Sequence, residues 1–165
     1  IISSKNNKKF YSWVDLGSEY RAPELSCALL YSQLLKVKKI QNIRKRNWNI
    51  FKNLINKINT QKFYLIESNK KSTSAYHILG LIFKTTELAN KFKLIFQQKK
   101  IAATFHYVPL HKSKMGKKYC NYALPITENI YNKVVRLPLY SGMTARELAK
   151  ISSLIKYFLS KNDNH

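Results

Sequence analysis

Glycine is too sparse in this chain to build a phosphate-cradling loop: Gly17, Gly80, Gly116 and Gly142 stand far apart. Cysteine is scarcer still. Cys27 and Cys120 lack metal-ligand spacing and read as reduced thiols of a cytoplasmic protein. Nothing pairs Cys27 with a histidine, so a helix-face packing role is expected for it and not nucleophilic catalysis. No apolar run approaches the roughly 18 residues that a membrane helix needs; the longest, residues 76–83, is strand-sized. Residues 3–9 are polar and basic with no apolar segment behind them, unlike a secretory signal. Methionine occurs only at Met115 and Met143 and the sequence opens on Ile1, so the chain reads as a piece of a longer protein.

What is present points to a folded domain with an unusual surface. At 165 residues and 45% hydrophobic composition the chain can bury a real core in one domain. Its 30 basic residues face only 8 acidic ones, a net charge of +22. Such a charge suits a nucleic-acid surface. Yet 25 of the 30 are lysines spread from end to end, and arginine, the residue preferred for base and phosphate recognition, is rare. Lysine, asparagine and isoleucine share adenine- and thymine-rich codons. A biased genome therefore accounts for the charge, and no specific nucleic-acid partner is expected.

Hydrophobic spacing lays out an α+β domain. Residues 1–10 are polar and read as a loose terminus. Pro23 suits the first turn of a helix, with Glu24 near its positive end. Apolar residues then recur three and four apart from Leu25 to Ile58, predicting one long helix over 23–58, or two with a kink near Arg44-Lys45-Arg46. That triplet reads as a solvated face. Residues 62–66 and 76–83 read as strands, the second with Gly80 inside it. A helix capped by Thr85 or Thr86 follows, with Leu88, Phe92, Ile95 and Phe96 on one side. Residues 101–105 return as a strand, 112–118 as a lysine-rich loop and 127–134 as a short helix. Thr144-Ala145-Arg146-Glu147 is a capping box opening a last helix lined by Leu148, Ile151, Leu154, Ile155 and Phe158.

The most informative stretch is Phe105-His106-Tyr107-Val108-Pro109-Leu110-His111, with two imidazoles, a phenol and a proline turn in seven residues. The histidines are five apart, off helical spacing, with no carboxylate or cysteine beside them in sequence, so a zinc site is not expected. Two readings stand from the residues alone. One is a proline turn with partly buried polar rings; the other is a rim of hydrogen-bond donors that orients a polar ligand.

Together with Trp13-Val14-Asp15-Leu16-Gly17-Ser18-Glu19-Tyr20, Ala75-Tyr76-His77-Ile78-Leu79 and Leu137-Pro138-Leu139-Tyr140 followed by Thr144, this turn resembles the C-terminal part of the DegT/DnrJ/EryC1/StrS-type sugar-nucleotide aminotransferases. The resemblance implies the small C-terminal domain of a fold-type-I, pyridoxal phosphate-dependent enzyme. Residues 1–22 would be the tail of the large domain, 23–58 the long connecting helix and 59–165 the small α+β domain. It implies a homodimer, with Ser18, Glu19 and Arg21 approaching the neighbouring subunit's cofactor phosphate. His106, Tyr107 and His111 would lie near the sugar nucleotide. The implied reaction moves an amino group from glutamate to C4 of a dTDP-4-oxo-6-deoxy sugar. The Schiff-base lysine and the acidic partner of the pyridine nitrogen would lie upstream, so no catalytic residue is assigned and the chain alone is expected to be inactive; the alternatives are a basic nucleic-acid-binding module and a non-catalytic remnant that pairs with a full-length subunit. Glu19 stands where many members have asparagine, and Ser26-Cys27 replaces a common Gln-Ala pair.

Overall fold

The computed structural model describes residues 2–5, 8–11, 17, 22–69, 71–105, 107–119 and 122–161. Its centre is a three-stranded antiparallel sheet of β3 (Phe63–Leu65), β4 (Leu79–Phe83) and β5 (Val134–Leu137), in that order. Phe63 pairs with Phe83, Leu65 with Leu81, Leu81 with Val135 and Leu79 with Leu137. Because side chains alternate along a strand, all of these residues share one face. Two helices cover that face, α3 (Thr86–Gln98) and α6 (Ala145–Lys161). On α3 the predicted Phe92 and Phe96 are buried together with Ala89, while Leu88 and Ile95 are half-buried at the edge; on α6 the predicted Leu148, Ile151, Leu154, Ile155 and Phe158 are buried and Leu159 joins them. Between sheet and helices the phenylalanines meet edge to face, Phe83 and Phe158 with ring centres 5.8 Å apart, Phe92 and Phe158 5.1 Å.

Both helix starts follow their sequence signals. Thr85 Oγ1 accepts the Leu88 N–H at 3.2 Å. At α6, Thr144 Oγ1 accepts the Glu147 N–H at 3.2 Å while Glu147 Oε2 accepts the Thr144 N–H at 2.8 Å, and Tyr140 Oη donates to the other carboxylate oxygen at 2.7 Å. The Thr144→Ala variant removes this reciprocal cap. It is expected to cost about 1 kcal/mol, seen in urea unfolding as a lower midpoint with an unchanged slope.

Helix α2 (Val37–Ile58) joins the layer along its Asn47, Trp48, Phe51 and Ile55 face, packing on β3 and α6. Fully buried Asn47 donates from Nδ2 to the Tyr140 carbonyl at 3.2 Å, which ties α2 to the chain entering α6. The helical stretch predicted over 23–58 is two helices, and the break is not at the Arg44-Lys45-Arg46 triplet. It falls at Leu35-Lys36, after α1 (Glu24–Leu34), where the Lys36 N–H bonds the Gln33 carbonyl at 3.0 Å and tightens the last turn. The triplet interrupts nothing: Lys45 and Arg46 point to solvent while Arg44 is half-buried beside the core stripe.

Other expectations change in detail. The terminus read as loose contains a two-stranded hairpin, β1 (Ile2–Lys5) and β2 (Lys8–Tyr11), with Lys5 opposite Lys8. Strand β4 starts at Leu79 and not at Tyr76, because Tyr76 has a positive φ of 45° that a strand does not admit. The strand expected over 101–105 is a single bridge, Thr104 to Arg136. Lys100 adopts φ 55° and Ile101 spends its N–H on the Phe96 carbonyl, so the residues after α3 complete its C-terminal turn. The short helix is α5 (Pro125–Tyr131), ending early enough for residues from Val134 to form β5.

Candidate functional site

The loop predicted over 112–118 is ordered from its first residue. Buried Pro109 leads into a 3-10 turn, Leu110–Lys112, and then α4 (Gly116–Tyr119). Ser113 joins the two: its hydroxyl donates to the Leu110 carbonyl at 2.7 Å and accepts the Gly116 N–H at 2.9 Å. The fit is so close that a Cβ at position 116 would stand 1.7 Å from the Leu110 oxygen. Only glycine permits this approach. Met115, between Ser113 and Gly116, is buried.

A second fastening comes from α5. Glu128 takes Lys112 Nζ on one carboxylate oxygen at 2.7 Å and His111 Nε2 on the other at 3.3 Å, and the second oxygen also accepts the Leu124 N–H at 3.3 Å. Lys112 lies over the Tyr131 ring, 5.1 Å from its centre. The Lys112 hydrogen bond, and after it the Leu124 amide, holds the Glu128 carboxyl below its ordinary value; the same bond holds the Lys112 ammonium above its own. An ionised carboxylate only accepts, so His111 Nε2 carries the proton of that contact. His111 is therefore mostly enclosed and committed to Glu128, whereas Tyr107, four residues earlier, is exposed.

The signs fix a pH window for this clasp. Glu128, with a lowered pKa, contributes above its unfolded value of 4.5 and ceases to as pH falls through the lower folded value. Lys112, with a raised pKa, contributes below 10.5 and ceases to as pH rises through its folded value. Thermal melts across the acid range should thus show the stability gap between the native chain and a Glu128→Gln variant closing as the carboxyl titrates. A gap that stays constant below pH 4.5 would mean the clasp adds nothing.

Of the residues singled out from the sequence, Tyr107 and His111 lie on this one turn. Ser18, Glu19, Arg21 and His106 fall outside the described residues. Sequence reading missed Glu128, 17 positions from His111, and the role of Gly116. It also missed a cleft of about 430 Å³ on the sheet face away from α3 and α6, where Arg136, Gly80 and Ile82 stand beside Trp48 of α2, Tyr76 and His77. Tyr76, held at φ 45°, packs edge-on to Trp48 with ring centres 5.6 Å apart. Gly80 was noted as a strand glycine, and the structure explains it: a Cβ there would meet Ile66 Cδ1 at 2.8 Å. Among the described residues no helix is long and apolar enough to cross a membrane.

Comparison with known proteins places these features in a wider frame. The model of the DegT/DnrJ/EryC1/StrS aminotransferase family matches residues 2–156. The uncharacterized protein MJ1066 of Methanocaldococcus jannaschii is 25% identical over 166 residues, covering 96% of this chain and 42% of that protein. Among solved structures, DesV of S. venezuelae superposes over 96% of this chain and 40% of its own with a TM-score of 0.77 at 15% identity. Helicobacter pylori PseC, an aminotransferase involved in the biosynthesis of pseudoaminic acid, superposes over 96% of this chain and 43% of its own with a TM-score of 0.73 at 20% identity. The α+β fold is that of these fold-type-I aminotransferases, and the chain spans less than half the length of the relatives it matches.

Proposed function

This chain belongs to the DegT/DnrJ/EryC1/StrS aminotransferase family, and from that premise we propose that it forms the small-domain part of a pyridoxal phosphate-dependent sugar-nucleotide aminotransferase. The reaction moves the amino group of glutamate to C4 of a dTDP-4-oxo-6-deoxy sugar, as in the enterobacterial dTDP-4-amino-4,6-dideoxygalactose transaminase of common-antigen synthesis. The observation that carries the reading is the turn from Tyr107 to His111. Its end is fastened by Ser113 and Gly116 and by Glu128, and Tyr107 at its start is exposed. A fastened turn that carries an exposed tyrosine suits the orientation of a polar substrate. In this reading His111 positions the turn through Glu128, and Tyr107 with His106 meets the sugar nucleotide.

Pyridoxal phosphate supplies the electron sink for amino transfer. Ser18 and Arg21 suit a phosphate by chemistry, a hydroxyl donor and a guanidinium, while Glu19 beside them opposes it. These residues serve the neighbouring subunit of a homodimer, in the cytoplasm, where nucleotide sugars are made. The chain by itself does not turn over, since no lysine of its own is assigned to the cofactor.

The test joins the chain to the cofactor-binding part of a family aminotransferase and assays glutamate with dTDP-4-oxo-6-deoxyglucose. Formation of the 4-amino sugar nucleotide is expected, with Tyr107→Phe slower by about tenfold, the worth of one substrate hydrogen bond. Preference for an oxo sugar without a nucleotide, or a Tyr107→Phe variant of unaltered rate, would overturn the assignment. Tight, sequence-selective nucleic-acid binding would support the rival reading of the charge.

A further inference from the structure

Lys52, Lys62, Lys112 and Lys133 are each half-buried, and each gives its ammonium to an oxygen. Lys52 pairs with Glu67 and Lys112 with Glu128. Lys62 donates to the Leu159 carbonyl at 3.1 Å and Lys133 to the Asn129 side chain at 2.6 Å. Lys93 of α3 is half-buried too, yet among the described residues it has neither hydrogen bond nor ion pair. Burial alone acts on it and holds its ammonium below the ordinary lysine range.

The cause is where the side chain stands. Asn90, Lys93, Leu94 and Gln97 recur three and four apart, so they share one face of α3. That face and residues 101–104 line a cleft of about 570 Å³. Its other wall is made of small side chains, Ala102, Ala103 and Thr104 beside Ile101, which leaves room for a group attached to the amine. No other residue lining the cleft is titratable, so neither a carboxylate nor a second cation faces Lys93. The cleft shares no residue with the turn at Tyr107 to His111 or with the cleft beside Trp48.

We propose that Lys93 is an acylation site for short-chain acyl thioesters, its amine reacting from within the cleft between α3 and residues 101–104. A lysine without a partner in apolar surroundings is an activated nucleophile. The nitrogen lone pair attacks the thioester carbonyl carbon. The C–N bond forms, the C–S bond breaks, the thiolate leaves with its electron pair and the proton shed by nitrogen passes to water. Nothing is oxidised or reduced. The product is an uncharged amide, with the carboxamide residues Asn90 and Gln97 one helical turn to either side. It replaces a cation that burial disfavours, so modification and stability favour the same state.

The test incubates the full chain with acetyl coenzyme A at mildly alkaline pH and follows each lysine by peptide mass spectrometry. Lys93 should be acetylated at least about threefold faster than exposed Lys91 on the same helix, because only the neutral amine reacts. In concentrated urea the two should react alike. Lys93→Gln should also raise the melting temperature more than Lys91→Gln does. Both variants lose one positive charge, but only the first takes a cation out of the cleft. Equal or slower acetylation of Lys93 overturns the assignment. A preference that survives unfolding does so as well, since it would belong to the local sequence, and so does equal melting of the two variants. The rates are read on the native chain and stand even where a substitution impairs folding.

Discussion

Replacing Phe92 with alanine is expected to remove about half of the stability of this domain. The ring is fully buried and touches four others, with centres 4.4 Å from Phe96, 5.0 Å from Phe83, 5.1 Å from Phe158 and 6.2 Å from Phe63. It is the hub where α3, α6 and the sheet meet. Truncating such a side chain costs about 3–5 kcal/mol, the sum of lost transfer energy and the cavity left behind. A single domain holds only about 5–15 kcal/mol in total. Urea unfolding followed by far-ultraviolet circular dichroism should show a midpoint reduced by about half at similar slope, whereas Phe92→Leu, which keeps more of the volume, should lose far less. A loss under about 1 kcal/mol for the alanine variant would mean that the aromatic cluster collapses around the gap and that packing here is loose.

The Gly116→Ala variant should break the turn while sparing most of the core. The added methyl would lie 1.7 Å from the Leu110 oxygen and 2.5 Å from its carbon, and both belong to backbone that cannot rotate aside. The turn must open, at a cost of about 1–3 kcal/mol for the forced displacement. Opening also separates Ser113 from the Leu110 carbonyl and draws His111 from Glu128. The imidazole resonances of His111 should move toward those of a solvated ring, which nuclear magnetic resonance reads directly. Gly142→Ala is the matched control: its Cβ would meet only ring carbons of Tyr140 at 3.7 and 3.8 Å, an ordinary contact. If both variants behave alike, the close approach at Gly116 is not what shapes the turn.

How much of this was legible in the sequence depends on whether the determining contact is local. The capping box at Thr144, the cap at Thr85 and the apolar stripes of α2, α3 and α6 are set by residues within a few positions of one another; the caps appear as read and the stripes do so in their central residues. The turn at Tyr107 to His111 was legible as a feature because its composition is unusual. Its fastening was not. Glu128 reaches His111 only because α5 folds back, and no spacing rule links positions 17 apart. Spacing also misleads where it gives direction without a partner. Leu25, Leu29 and Leu34 continue the three-and-four rhythm of α2, so one helix was expected, but they are exposed and take no part in the core that α2 serves. The positive φ of Tyr76 and of Lys100 shortened two expected strands, and neither residue type announces that conformation.

The order in which the core elements occur along the chain has a consequence for synthesis. The sheet is completed by β5, at residues 134–137, and the helix that roofs it carries its innermost rings and leucines as late as Phe158 and Leu159. A nascent chain therefore emerges from the ribosome with Phe51, Phe63, Phe83, Phe92 and Phe96 made and nothing to enclose them. Closure waits for nearly all of the described residues, and contacts this distant in sequence form late and slowly. Chains in that condition are prone to stick to one another. The lysines, spread through every stage of elongation, give each unfinished chain a positive charge that repels its neighbours on the same message. Like charge of this kind opposes association between unfinished chains while the core is still open.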